Sequence, residues 1–186
     1  IKKNIPDAQV GVAVNQSYFE STGGMVNDVL TWGAGHVWNG WFLRHVSGEL
    51  DFIGLNYYFH NRIDYGLNKN RNEKVSDMGH ELYPEGLYRV LLGLKKFQKP
   101  IYITENGLAD AQDKHRTWFI QEHIRWMKKA MDESVDVRGY FYWSLLDNFE
   151  WDKGFWPRFG LVEVDYNTME RKVRQSAREY ATLIER

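Results

Sequence analysis

Four short runs of the chain are apolar with almost no polar alternation: residues 8–15 (AQVGVAVN), 50–58 (LDFIGLNYY), 99–104 (KPIYIT) and 137–143 (VRGYFYW). A strand covered on one face alternates polar and apolar side chains. Runs rich in β-branched and aromatic residues without that alternation are the pattern of parallel strands covered on both faces. Helical spacing fills the intervals. Residues 24–46 form one long candidate. Residues 84–97 open with Pro84 at a first-turn position, where its missing N–H is not needed, and Leu87, Val90, Leu91 and Leu94 mark one face. Residues 117–131 place Ile120, Ile124, Met127 and Met131 at helical spacing, and a last helix is expected over 172–185. A βαβαβαβα order means parallel strands joined by right-handed crossovers, hence an α/β protein. No low-complexity linker interrupts it, so residues 1–186 read as a single segment.

Two architectures fit this order, an open doubly wound sheet and a closed barrel. A nucleotide-binding open sheet carries a glycine-rich turn after a strand, spaced to cradle phosphate. Gly23-Gly24 and Gly33-Ala34-Gly35 have neither that spacing nor that place. Polar residues gather instead where the strands are predicted to end: Asn15, then Asn56 and Tyr58, then Glu105, then Ser144 and Asp147. Function at every strand C-terminus is the barrel pattern, because the βα loops there face one shared pocket. A whole (β/α)8 TIM barrel takes about 250 residues. Four βα units make half of one.

Composition narrows the partners. The 186 residues hold 24 Lys+Arg against 25 Asp+Glu, a net charge of −1, so no basic face is expected to bind nucleic acid by neutralising phosphates. No apolar run approaches the roughly 18 residues that cross a bilayer, so no membrane contact is expected. The absence of cysteine removes a disulfide framework and a thiolate nucleophile, and suits the cytoplasm. The chain starts Ile1-Lys2-Lys3 without a signal-peptide core. Its six histidines show no paired ligand spacing, so neither a metal nor another cofactor is expected. Aromatics are plentiful, with 8 Trp, 11 Tyr and 10 Phe.

Two segments carry candidate chemistry. In Ile101–Gly107 (IYITENG) a strand delivers Glu105 to its end, and Asn106-Gly107 is expected to turn the chain through positive φ. A carboxylate on a rigid element suits a nucleophile that needs close placement. Taken alone, such a glutamate is more often a helix cap or an ion-pair partner. The second segment leaves a strand at Trp143, sets Glu150-Trp151 in a loop and returns through Arg158-Phe159-Gly160 to a short β extension. Aromatic side chains usually fill cores. Here Ser144, Asp147, Asn148, Glu150 and Asp152 are interleaved with them, and carboxylate beside indole suits a sugar, whose hydroxyls need acceptors and whose C–H face packs on a flat ring.

ITENG, LNYY at Leu55–Tyr58, and WSLLDNFEW with RFGLVEVDY after it resemble the family-1 glycoside hydrolases, the β-glucosidases and β-galactosidases. The resemblance covers essentially the whole chain and implies strands five to eight of their TIM barrel. It implies Glu105 as catalytic nucleophile, with Tyr58 donating its hydroxyl to that carboxylate and Asn56 ordering the same side of the pocket. Trp143 would be the stacking floor, Glu150 would bridge two sugar hydroxyls, Trp151 would donate from its indole, and Phe159 would line the wall. An intact Glu150-Trp151 pair implies an unphosphorylated β-linked sugar as substrate. The family's acid/base glutamate sits in an Asn-Glu-Pro motif. Here the residues before proline are Ile5, Tyr83, Lys99 and Trp156, so that motif is absent. The expectation is a retaining β-glycosidase segment, inactive alone, that pairs with a missing N-terminal half barrel or self-associates through open edges. The alternative is a non-catalytic carbohydrate-binding or scaffold half barrel.

Overall fold

A computed structural model describes residues 1–184 of the chain. Strand β1 (Gly11–Ser21) turns through Gly23 and Gly24, both at positive φ, into α1 (Met25–Ala34). One π-helical stretch, Gly35–Gly40, joins α1 to α2 (Trp41–Val46), so the long predicted helix is present with an interruption. Wider winding frees carbonyls from the ordinary ladder. One of them, His36 C=O, accepts a hydrogen bond from the Arg44 guanidinium at 2.8 Å. β2 (Phe52–Ile63), α3 (Pro84–Leu94), β3 (Ile101–Asn106), α4 (Arg116–Asp132) and β4 (Val137–Tyr142) follow. β5 (Val162–Val164) and β6 (Arg171–Val173) form a small antiparallel hairpin before α5 (Gln175–Ile184). Residues 172 and 173, expected in the last helix, belong to β6. Glu185, its expected end, lies outside the described residues.

The four long strands are parallel in the order β1-β2-β3-β4. Leu87, Val90, Leu91 and Leu94 of α3 pack on Ile53 and Leu55 of β2 and Ile101 and Ile103 of β3, all buried. Each such side chain contributes about 1.5–3 kcal/mol through burial, which is why the spacing on α3 marks the face that it hides. The other sheet face carries Phe52, Tyr102, Thr104 and Phe141 around a shallow cavity, with Phe141 57% exposed. Within this chain the strands are therefore covered by helices on one face, where sequence predicted two. β1 and β4 each pair with one neighbour. Asn39 caps part of the free β1 edge: its side chain accepts from Ser17 N–H at 3.1 Å and donates to Ser17 C=O at 2.7 Å, as a further strand would.

β1 and β2 run well past the ends predicted at Asn15 and Tyr58, to Ser21 and Ile63. Asn15, Asn56 and Tyr58 are thus inside strands, not at their ends. They sit where the ladders slip, between Gln16 and Ser17 and between Leu55 and Asn56. The β3–β4 ladder slips at the same level, between Ile103 and Asn106. A bulge re-aims the side chains beside it.

Candidate active site

The turn after Glu105 is built by packing, not by positive φ. Asn106 is fully buried and its amide joins three strands, donating to Tyr57 C=O at 2.7 Å and accepting from the Tyr140 hydroxyl at 2.8 Å. Its carbonyl accepts from Trp143 N–H at 3.0 Å. Gly107 follows where a Cβ atom would lie 1.8 Å from the Trp143 carbonyl oxygen. Glycine is required there by close approach, and neither Asn106 nor Gly107 has positive φ, which corrects the expected turn chemistry.

Glu105 is oriented from β2. The Tyr58 hydroxyl donates to Glu105 Oε2 at 2.9 Å. Burial, and next the Glu105 charge, push the Tyr58 phenol far above its ordinary pKa, so it remains a donor at working pH. Asn56 lies behind this pair and accepts from the Thr104 hydroxyl at 2.6 Å, fixing the residue before Glu105. Burial, and then the negative charge of Glu105, raise the pKa of Glu150, while the Trp143 indole acts in the opposite direction. Glu150 therefore senses the Glu105 charge across the wall that the two share.

The Glu150 loop is locked from below. The Asp147 carboxylate is fully buried and accepts from Gly160 N–H (2.8 Å), Val164 N–H (3.2 Å) and both terminal nitrogens of Arg174 (3.0 and 3.1 Å). Arg158 reaches it at 3.4 Å. That demand occupies Asp147 structurally. The loop itself closes through Glu150 N–H to Gly154 C=O at 2.7 Å, with Trp151 at positive φ and 81% exposed.

Tyr58, Glu105, Trp143, Glu150, Trp151 and Phe159 together line a cavity of about 260 Å³. Asn56 is not in its wall. Ser76, Met78, His80 and Leu82 are, as is Asn15. The first four come from the irregular segment 64–83, whose sequence has no periodicity to place it. Asn15 was signalled as a polar residue at a predicted strand end, with no role assigned to it. An acid pair, flat indoles and a phenol around one sugar-sized space can bind a pyranose and attack it. The sequence profile of "Glycosyl hydrolase family 1" matches residues 42–186. This chain belongs to glycosyl hydrolase family 1.

Within the family, a 1,4-beta-D-glucan glucohydrolase of Thermotoga neapolitana is 31% identical over 98% of this chain and 52% of its own length. A beta-galactosidase of Sulfolobus acidocaldarius is 42% identical over 73% of this chain and 31% of its own. Among solved structures, a family 1 β-glucosidase from Thermotoga maritima superposes with a TM-score of 0.88 at 28% identity, covering 99% of this chain and 52% of that one. The family 1 chain thus spans about half the length of these curated relatives at most. Its fold is that of a family 1 (β/α)8 TIM barrel, of which β1–β4 are strands five to eight. No helix among the described residues is long and apolar enough to cross a membrane.

Proposed function

We propose that this chain is the nucleophile-bearing half of a retaining β-glycosidase that hydrolyses terminal, non-reducing β-linked sugars. The observation that carries the reading is the 2.9 Å hydrogen bond from Tyr58 to Glu105 in the wall of a cavity shared with Trp143, Glu150, Trp151 and Phe159. A Glu105 oxygen attacks the anomeric carbon as the bond to the leaving group breaks, and the leaving oxygen takes the electron pair and a proton from a general acid. Water, deprotonated by the same group, then attacks the glycosyl ester and frees Glu105. Tyr58 holds the attacking carboxylate in line, and Asn56 steadies it through Thr104. Trp143 packs against the C–H face of the ring, Glu150 and Trp151 bind hydroxyls, and Phe159 closes the wall.

Retaining chemistry needs a second carboxyl group about 5–5.5 Å from the first. Asp147 is held by two arginines and cannot serve. The proton donor therefore comes from a complementary half barrel that pairs along β1 and β4, and residues 1–186, as a single segment, are inactive without it. Names among the relatives (glucan glucohydrolase, β-galactosidase) favour an unphosphorylated glucoside or galactoside. The lack of cysteine suits a cytoplasmic enzyme.

A 2-deoxy-2-fluoro β-glucoside with a dinitrophenyl leaving group tests this, because such a leaving group departs without a proton. Mass spectrometry of the assembled barrel is expected to find one glycosyl adduct, on Glu105, and none after Glu105→Gln. An adduct elsewhere, or none in the assembled barrel, overturns the assignment.

A further inference from the structure

Residues 74–82 fold back on themselves as a small hairpin. Val75 and Glu81 bridge antiparallel, Ser76 N–H donates to His80 C=O and Leu82 N–H to Lys74 C=O, both at 2.8 Å. Ser76, Met78, His80 and Leu82 line the site cavity, whereas Asp77 and Glu81, which alternate with them, do not. These two carboxylates hold the hairpin in place. Asp77 ties its tip to the loop after Glu105, donating from its N–H to Ala109 C=O at 2.9 Å and accepting from Ala111 N–H at 2.7 Å. Glu81 ties its end to β2, accepting from His60 Nδ1 at 2.5 Å and from Asn72 N–H at 2.8 Å. We propose that His60 is a positioning residue: through Glu81 it fixes this hairpin and so sets how tightly the cavity holds its ligand. The proposal rests on the site cavity holding the sugar.

His60 does not reach the site cavity itself. Its side chain is 2% exposed and lies between two stacked rings, Tyr83 at 3.9 Å and Tyr18 at 5.5 Å. The second ring nitrogen is 3.2 Å from Glu20 Oε2 but out of line for a hydrogen bond, so the directed bond of the imidazole goes to Glu81. The backbone of the same residue holds the near end of the segment: His60 C=O accepts from the Asn70 amide at 2.7 Å, and that amide in turn accepts from Arg62 N–H at 2.6 Å. One residue of β2 therefore secures both the start and the end of the chain that closes the cavity. The Glu81 side chain is 8% exposed, and a carboxylate shut from water needs its oxygens filled. Without the imidazole donor, the hairpin gains by swinging Glu81 out to solvent, and the wall moves with it. Tyr58 and Glu105 are held separately, by each other and by Asn56 through Thr104. Loss of the His60 bond thus loosens the wall and not the nucleophile.

Trapping of the assembled barrel by the dinitrophenyl 2-deoxy-2-fluoro β-glucoside tests this, with the half-saturating concentration and the rate at saturation measured separately. His60→Phe keeps a ring between Tyr18 and Tyr83 and removes only the donor. Misplacing a group by about 1 Å costs up to roughly 100-fold, and a wall still tied at Asp77 loses less, so half-saturation is expected to rise about tenfold. The rate at saturation is expected to stay within about twofold, the mark of lost binding with the reacting groups intact. His60→Asn places an amide N–H near the Nδ1 position and is expected to recover most of the loss, although it gives up the stack. In the 186-residue chain, the Met78 methyl resonance is expected to shift in His60→Phe and to return in His60→Asn. Glu81→Gln, which keeps the shape without the charge, is expected to act in the same direction and carries the test where His60→Phe does not fold. Unchanged half-saturation in the folded variants overturns the proposal. So does an equal loss in His60→Phe and His60→Asn, or a fall in the saturated rate as large as the loss of affinity. Failure of the unaltered barrel to be labelled removes the site reading, and this proposal with it.

Discussion

Replacing Asp147 by alanine isolates the lock beneath the Glu150 loop. The change deletes a fully buried carboxylate that accepts from two backbone N–H groups and two guanidinium groups. Arg174 is 6% exposed and keeps one bond, to Gly160 C=O at 2.7 Å, but its charge is left without a counter-ion. Breaking a buried pair from one side costs about 3–5 kcal/mol, against a whole-domain stability of about 5–15 kcal/mol. For a chain of this size each kcal/mol moves the thermal midpoint by about 2–4 °C, so a fall of about 6–20 °C is expected. Circular dichroism melts of the parent and Asp147→Ala measure it. Asp136→Ala, which breaks an exposed pair with Arg138, serves as control and leaves the midpoint within error. Pairing Asp147→Leu with Arg174→Met removes both buried charges and is expected to recover much of the loss, because an apolar pair of similar volume replaces them. A shift for Asp147→Ala no larger than the control's would refute the reasoning.

Three further outcomes are expected. Gly107→Ala forces its Cβ against the Trp143 carbonyl, and overpacking of this kind costs about 1–3 kcal/mol; an unchanged near-UV spectrum and melt would show that the strand ends are not packed so tightly. Burial holds the His123 imidazole at a pKa of about 3 against an ordinary 6.5, with one ring nitrogen donating to Phe119 C=O. Its contribution is present above pH 6.5 and is lost as pH falls towards 3, at about 1.4 kcal/mol per pH unit; His123→Gln flattens that acid limb in urea titrations at several pH values. Glu150 is raised by burial and by Glu105, so its charged form weakens the fold, and the stabilising effect of the protonated form is complete below its ordinary 4.5 and lost as pH rises through the folded value. Glu150→Gln is expected to melt higher than the parent at neutral pH, with the gap closing below 4.5; a constant gap would mean that no carboxyl titration is involved.

The alternating order of strands and helices, the buried face of α3 and the segments that approach the cavity were all legible in the chain, because each is a local pattern. Apolar runs mark strands, a helical repeat marks a helix face, and a polar residue ending such a run marks a pocket. The lengths of β1 and β2 were not legible. Residues 16–21 and 59–63 mix polar and apolar side chains, and what makes them strands is pairing with each other. Nor was the turn after Glu105: Asn106-Gly107 has the composition of a positive-φ turn, yet Asn106 is taken up by Tyr57 and Tyr140 from neighbouring strands.

What the sequence determined, then, was which residues hide from water and which polar groups stand at the edge of the hidden ones, since burial and backbone periodicity act over a few positions at a time. Only the tertiary structure decided that Tyr58 meets Glu105 across 47 positions, that Asp147 serves two arginines instead of a ligand, and that residues 76–82 close one wall. Those outcomes depend on strand register and its slips, which set where side chains from distant segments converge, and register is fixed by pairing across the sheet.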